Sequence, residues 1–145
     1  MKRLVICLLA VIGVSCSSGS DNCRLTGTWE SIQFISDKPV DLNGDGKFHI
    51  DLVEEKSCTY ARFKFSSGTL KRTSRSPHGN CKERTSTMDF TKDGDRLTFQ
   101  VGGAKQTHRY QIIDCQLFIY GVIDTGLTES GRKETLDITV VLERS

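Results

Sequence analysis

The chain has 145 residues, 37% of them hydrophobic and 26% charged, with 20 basic against 18 acidic side chains. That length holds one domain with a single core. A formal net charge of +2 gives a phosphate-binding role no electrostatic support, so nucleic acid is not an expected partner.

The sequence opens Met1-Lys2-Arg3 and then runs from Leu4 to Val14, eleven residues without a charge. Two positive charges ahead of a short apolar run read as an export signal. A spanning helix needs about 20 residues, and no later segment approaches that. Gly13-Val14-Ser15-Cys16 resembles a lipobox, at which bacterial lipoproteins are diacylated on the cysteine thiol and cut before it. It departs from the usual pattern at Gly13, where a bulky aliphatic residue is common. The resemblance implies a lipoprotein signal peptide over 1–15, lipidation of Cys16, and attachment to a membrane of the bacterial cell envelope, the outer membrane foremost. Acyl chains at about 0.8 kcal/mol per buried methylene make such an anchor effectively permanent. Ser17 to Asn22 are small and polar, as a flexible tether requires. Residues 16–24 are thus expected to join the lipid to a domain over 25–145. The alternative is ordinary signal cleavage with Cys16 left as a free thiol. Removing 1–15 takes Lys2 and Arg3 but no acid, which leaves 18 basic against 18 acidic residues, so the positive balance belongs to the signal.

Leu25-Thr26-Gly27-Thr28-Trp29 opens the first recognisable strand, 27–35, and carries the chain's one tryptophan. A polar loop, Pro39 to Lys47, follows. In it Asp41, Asn43 and Asp45 bring three side-chain oxygens to one turn, Gly46 permits the bend, and the Lys47 carbonyl offers a fourth ligand. That is the first half of a calcium loop. The twelfth position from Asp41 is Leu52 instead of a bidentate acid, which leaves Asp51 or Glu54 to substitute. Structural calcium is therefore the one cofactor expected, with none required. The competing reading is an Asx and glycine turn with solvated carboxylates.

Ile50 to Glu55 can form one short turn of helix. Further strands are expected at 58–66, 69–75, 84–91, 96–101, 107–113, 116–122 and 135–143. Period-two alternation is clearest in Ala61, Phe63 and Phe65, in Leu97, Phe99 and Val101, and in Leu136, Ile138, Val140 and Leu142. Ser67-Gly68, Lys92-Asp93-Gly94-Asp95 and Asp114-Cys115 supply turn chemistry between strands. The expected fold class is all-β, an antiparallel up-and-down barrel of about eight strands with at most one short helix.

Cys7 leaves with the signal and Cys16 takes lipid, so Cys23, Cys58, Cys81 and Cys115 remain, an even number in an exported chain. Two disulfides are the natural reading. Three connectivities are possible; proximity of a strand start to the far end of its returning hairpin favours Cys58–Cys81, which leaves Cys23–Cys115. Spacings of 35, 23 and 34 residues contain no Cys-x-x-Cys unit and argue against zinc.

Taken in order, Gly27-x-Trp29, the Asp-x-Asn-x-Asp-Gly loop, a cysteine before a Phe-rich strand and Gly turn, a second cysteine and the meandering hairpins resemble the small lipocalin-like domains of bacterial exported lipoproteins. In lipocalin-like barrels the indole of the Gly-x-Trp signature plugs the closed end, and the last strand ends in arginine, as Leu136 to Arg144 does here. The resemblance implies neighbouring first and last strands, with Arg144 over the Trp29 ring in a cation–π contact worth about 0.5–2 kcal/mol. It implies no common enzymatic activity and no shared cofactor. One departure stands out. Leu70, Arg72 and Ser74 alternate with Thr69, Lys71, Thr73 and Arg75, so neither face of that strand is apolar, which argues against a large apolar pocket.

No catalytic set is visible. His49, His78 and His108 have no companion at metal-ligand or triad spacing, and each reads as a surface histidine, His108 facing water. An enzyme is not expected. Lys71 to Arg75 with Lys82 and Arg84 form a cationic cluster able to take a carboxylated ligand or anionic glycan; charge on an edge strand also guards against sheet aggregation. Two functions follow. One is a lipid-anchored lipocalin-like domain that binds a small hydrophobic or amphipathic ligand or an envelope component. The other is a protein inhibitor, of lysozyme or protease type, acting through barrel loops such as Asp124 to Glu134. An apolar interior space favours the first and a filled core the second. No feature assigns an oligomeric state.

Overall fold

A computed structural model describes residues 23–42, 44–55, 58–75, 80–128 and 133–145, the side chains of 123–128 and 133–134 excepted. Residues 1–22, over which the export signal, Cys16 and most of the tether are expected, lie outside the described residues, as do Asn43 and His78. The chain forms β1 (Gly27–Asp41), β2 (His49–Asp51), α1 (Leu52–Glu55), β3 (Tyr60–Phe65), β4 (Thr69–Arg75), β5 (Arg84–Asp93), β6 (Arg96–Val101), β7 (Ala104–Ile113), β8 (Gln116–Thr128) and β9 (Lys133–Arg144). Each strand from β3 onward pairs antiparallel with the next, and β1 pairs with both β3 and β9. The result is the expected closed, up-and-down barrel of eight strands; β2 is a short ninth strand laid along the far half of β1.

The inward rows are those that alternation marks. Ala61 and Phe65, Leu97 and Phe99, and Leu136, Ile138 and Leu142 are all buried. Tight turns are made by Gly68 (φ 74°) and Gly94 (φ 55°), and by Asp114 and Cys115, both left-handed at φ 48° and 60°, as a two-residue hairpin of the primed type requires.

One end of the barrel is sealed. Trp29 has no exposed surface, its indole Nε1–H donates to the Leu25 carbonyl at 2.7 Å, and Leu25, Phe65, Leu70, Leu97, Tyr110, Leu117 and Leu142 complete the same buried cluster. Burying an aromatic of roughly 200 Å² contributes about 5 kcal/mol before entropy. Trp29 stands opposite Phe63 on β3 and opposite Arg144 on β9. The Arg144 guanidinium lies 5.7 Å from the indole centroid and donates to the Arg24 and Thr26 carbonyls, both at 3.1 Å. Gly27 is needed beside it. Its φ is +131°, and a Cβ there would come within 2.8 Å of Arg144 Nη2.

Midway, β1 changes face. Ser31 and Gln33 oppose consecutive β9 residues, Leu142 and Val141, so Ile32 is an inserted residue. Such a bulge resets the alternation: Trp29 is buried before it, Ser36 and Val40 after it. At the same place β1 parts from β3, whose Ala61 N–H donates to Ser31 Oγ at 2.8 Å in place of a ladder bond. β2 and α1 then lie beside β1, and Val40, Leu52, Leu136 and Ile138 form a second small core over half of the other barrel end.

Disulfides Cys23–Cys115 and Cys58–Cys81, the pairing favoured from the sequence, staple opposite ends. The first joins the segment before β1 to the β7–β8 turn at the sealed end; the second joins the approach to β3 to the connection between β4 and β5 at the other. Two assignments are corrected. β1 continues to Asp41, so Pro39 and Val40 are strand, and Asp124 to Glu134 is not one loop, because β8 extends to Thr128 and β9 begins at Lys133. In both cases cross-strand pairing outweighs local turn composition.

Chain-entropy arguments scale a disulfide's contribution with the loop it closes. For separations of 92 and 23 residues they give about 4.6 and about 3.4 kcal/mol. Urea unfolding of the two double Cys→Ala variants is therefore expected to show the larger loss on removing Cys23–Cys115. The reverse order would mean that the open rim, not the sealed floor, limits stability.

Candidate functional site

Above the Trp29 floor the barrel is hollow. A cavity of about 640 Å³ is walled by Ala61 and Phe63 on β3, Leu70 and Arg72 on β4, Ser86 and Met88 on β5, Phe99 and Val101 on β6, Gln106 and His108 on β7, Ile119 on β8, and Ile138 and Val140 on β9. Phe34, brought inward by the bulge, closes the β1 side. The volume falls within the range of small-ligand sites, and the mostly apolar wall with a few polar groups has their usual character. This corrects the expectation that β4 rules out a large pocket. Arg72 does face inward with Leu70, yet the wall supplied by the other strands is mostly apolar, and the long side chain lies 5.9 Å from the Phe63 centroid.

The mouth is formed where two ladders stop short. β5 pairs with β6 only over Phe90 to Asp93, and β7 with β8 only over Arg109 to Ile113. Toward the tip of the β6–β7 hairpin, residues 100–101 have no backbone pairing with β5 and residues 104–108 none with β8, so the two strands pair there with each other alone. It turns at Gly102 and Gly103, with φ of 55° and 87°. Two exposed apolar side chains, Val101 and Val122, flank the gaps at 39% and 63% exposure.

His108 marks the point at which the β7–β8 ladder ends, and it is turned toward the cavity, not toward water as expected. Its Nδ1 lies 3.1 Å from the Tyr120 carbonyl. A carbonyl only accepts, so Nδ1 is the donor in this contact. The ring also packs on Phe99, with centroids 5.7 Å apart. Gly121 makes room for it, since a Cβ there would stand 3.1 Å from His108 Nδ1. The side chain thus bonds the carbonyl of the residue that forms the last β7–β8 pair.

Arg72 is the one lysine or arginine on the cavity wall, and no aspartate or glutamate lines that wall among the described residues. More than a third of Arg72 is exposed at the mouth, but the surrounding wall desolvates it and lowers its pKa from the usual guanidinium value. Arginine remains cationic under such shifts. Lys71 and Arg75 are on the outward row of β4, whereas Arg84, opposite Ser74, continues the inward row of β5 toward the rim. Lys64 and Lys71 face each other across β3 and β4, Arg75 pairs with Glu83 at 3.1 Å, and Arg62 pairs with Glu30, whose hydrogen bond raises the arginine pKa. The cluster is therefore divided between two faces and is not one anion site.

The candidate calcium residues are used locally. Asp41 Oδ1 accepts the Gly44 N–H at 2.6 Å and its Oδ2 the Gly46 N–H at 2.9 Å, while Asp45 Oδ1 accepts the Lys47 N–H at 2.8 Å. Asp51 sits opposite Ile35, away from the loop, and its Oδ1 accepts the N–H groups of Val53 and Phe34. These are Asx turns and a helix cap. Among the described residues no group of three or more His, Cys, Asp or Glu side chains is placed to hold a metal ion. His49 has companions invisible in the sequence: Nδ1 is 2.9 Å from Glu54 Oε2 and Nε2 is 3.6 Å from Oε1 of buried Glu55. Glu55 Oε2 in turn accepts the Leu42 N–H at 2.9 Å, which clasps the end of β1 to α1.

The chain matches no known protein family, and none of the curated proteins is significantly similar to it.

Asp41→Ala removes the acceptor of two loop N–H groups, each exposed bond contributing about 0.5–1 kcal/mol. A loss of about 1–2 kcal/mol in urea unfolding is expected, equal in calcium and in chelator. A loss seen only with calcium present would assign the carboxylate to a cation.

Proposed function

We propose that this protein is a lipid-anchored cell-envelope lipoprotein whose lipocalin-like barrel holds a small hydrophobic or amphipathic molecule. The observation that carries the binding half of this reading is the 640 Å³ cavity above a sealed floor. An open apolar interior was the feature expected to separate a binding domain from a protein inhibitor acting through its loops, and it supports the first. The anchoring half rests on the lipobox resemblance around Cys16 and on the exported, disulfide-bonded character of the domain.

The two halves fit geometrically. Cys23 is tied to the sealed end, and Cys16 precedes it by seven residues, which span at most about 25 Å. A lipid on Cys16 holds the Trp29 end near the membrane, and the mouth beside the β6–β7 hairpin tip lies at the opposite end. Ligand then enters from the aqueous side of the envelope and not from the anchoring membrane.

The test uses N-phenyl-1-naphthylamine, a neutral fluorophore that brightens in apolar surroundings, with disulfide-bonded Cys16→Ser protein prepared without detergent. Saturable binding of one probe per chain is expected, with a Kd on the order of micromolar. Val140→Trp, which fills the middle of the cavity, is expected to raise that Kd about tenfold or more while cooperative melting persists. A folded protein that gives no saturable signal would remove the binding half of the proposal.

A further inference from the structure

The cavity wall carries one permanent charge, and its position is informative. Arg72 is on the inward row of β4, directly opposite Ser86 on β5, one inward position nearer the mouth than buried Leu70. Its guanidinium rests against the Phe63 ring. No acidic side chain shares the cavity with it among the described residues, and none is paired with it. A surface arginine ordinarily has water on every side or a carboxylate partner; here an apolar wall takes part of the water and no carboxylate is supplied. Partial desolvation strengthens whatever counter-charge arrives. Below Arg72 the wall is hydrocarbon: Leu70, Phe63, Phe99, Ile119 and Val140. The cavity is thus polar and positive at its mouth and apolar at depth, with its five guanidinium N–H donors set for bidentate contact.

We infer that the occupant is a single-chain amphiphile with a monoanionic carboxylate head, held by Arg72 at the mouth with its hydrocarbon tail directed toward the Trp29 floor. One cation and no acid match one negative charge. The Ser86 hydroxyl, across the ladder from Arg72, is able to donate a further hydrogen bond to the head. A cationic head meets Arg72 with like charge. The inference rests on the binding reading above and narrows it to a head-group chemistry.

The test compares dodecanoate with dodecanol, the same chain with and without the charge, by calorimetric titration into detergent-free, disulfide-bonded Cys16→Ser protein below the micellar concentration. Dodecanoate is expected to bind with a Kd at least about tenfold lower than dodecanol, about 1.4 kcal/mol. In Arg72→Met that preference is expected to vanish through weaker dodecanoate binding, with dodecanol within about threefold of its original Kd. Equal binding of the two by the protein with Arg72 intact would overturn the head-group assignment while leaving the cavity reading in place. Saturable binding of neither would overturn both. The comparison with Arg72 present decides the matter even if Arg72→Met does not fold.

Discussion

The structure depends on Trp29 being held at the junction of the first and last strands. The indole is held by the Leu25 carbonyl, by Phe63 across the ladder, and by Arg144, which also ties the chain before β1 through the Arg24 and Thr26 carbonyls. Apolar burial of roughly 5 kcal/mol outweighs the cation–π contact of about 0.5–2 kcal/mol, so the indole seals the floor and the arginine fixes its orientation. Gly27 is the condition for both. Because this end is filled, the interior space has one direction in which to open.

The opposite end is divided between closing and opening devices. On the β1 side the bulge at Ile32 turns Phe34, Ser36 and Val40 inward, and α1 brings Leu52 onto Val40 and Leu136, so that half of the rim is capped by a small core. On the β6–β7 side no such cap exists among the described residues. There the Tyr120 carbonyl, at the last β7–β8 pair, also takes the His108 side chain, and the hairpin tip parts from β5 and β8. One strand with an inserted residue and two ladders that stop short convert the barrel into a cup with a side opening.

Much of the fold was legible because period-two alternation and turn residues are local signals. The edges of β4 and β6, the helical turn before Cys58 and the inward rows of β3, β6 and β9 follow from them directly. What was not legible depends on distant partners. Pro39 to Asp41 and Asp124 to Thr128 have loop composition but gain ladder bonds from each other and from β9. Arg72 looked like one member of a surface cluster because its strand alternates polar with polar; only the mostly apolar wall supplied by other strands makes it a cavity residue. His108 likewise has no partner in sequence, since the carbonyl it bonds is on the next strand and the space it fills is created by Gly121. The Asp41 to Lys47 loop shows the converse, a metal-like spacing whose described carboxylates turn back on the loop's own N–H groups.

The barrel is sealed at the Trp29 end and open beside the β6–β7 hairpin tip. Residue-resolved amide hydrogen exchange of the disulfide-bonded protein tests this most directly, because protection reports which ladder bonds exist. Strong protection is expected for the paired stretches of β3, β4 and β9 and for Trp29 and its neighbours. Fast exchange is expected at those amides of 84–89, 104–108 and 121–122 that point away from β4, β6 and β9 respectively. Uniform protection of these amides, equal to that of the β3–β4 ladder, would mean that the strands zip together to their ends, and the mouth described here would not exist.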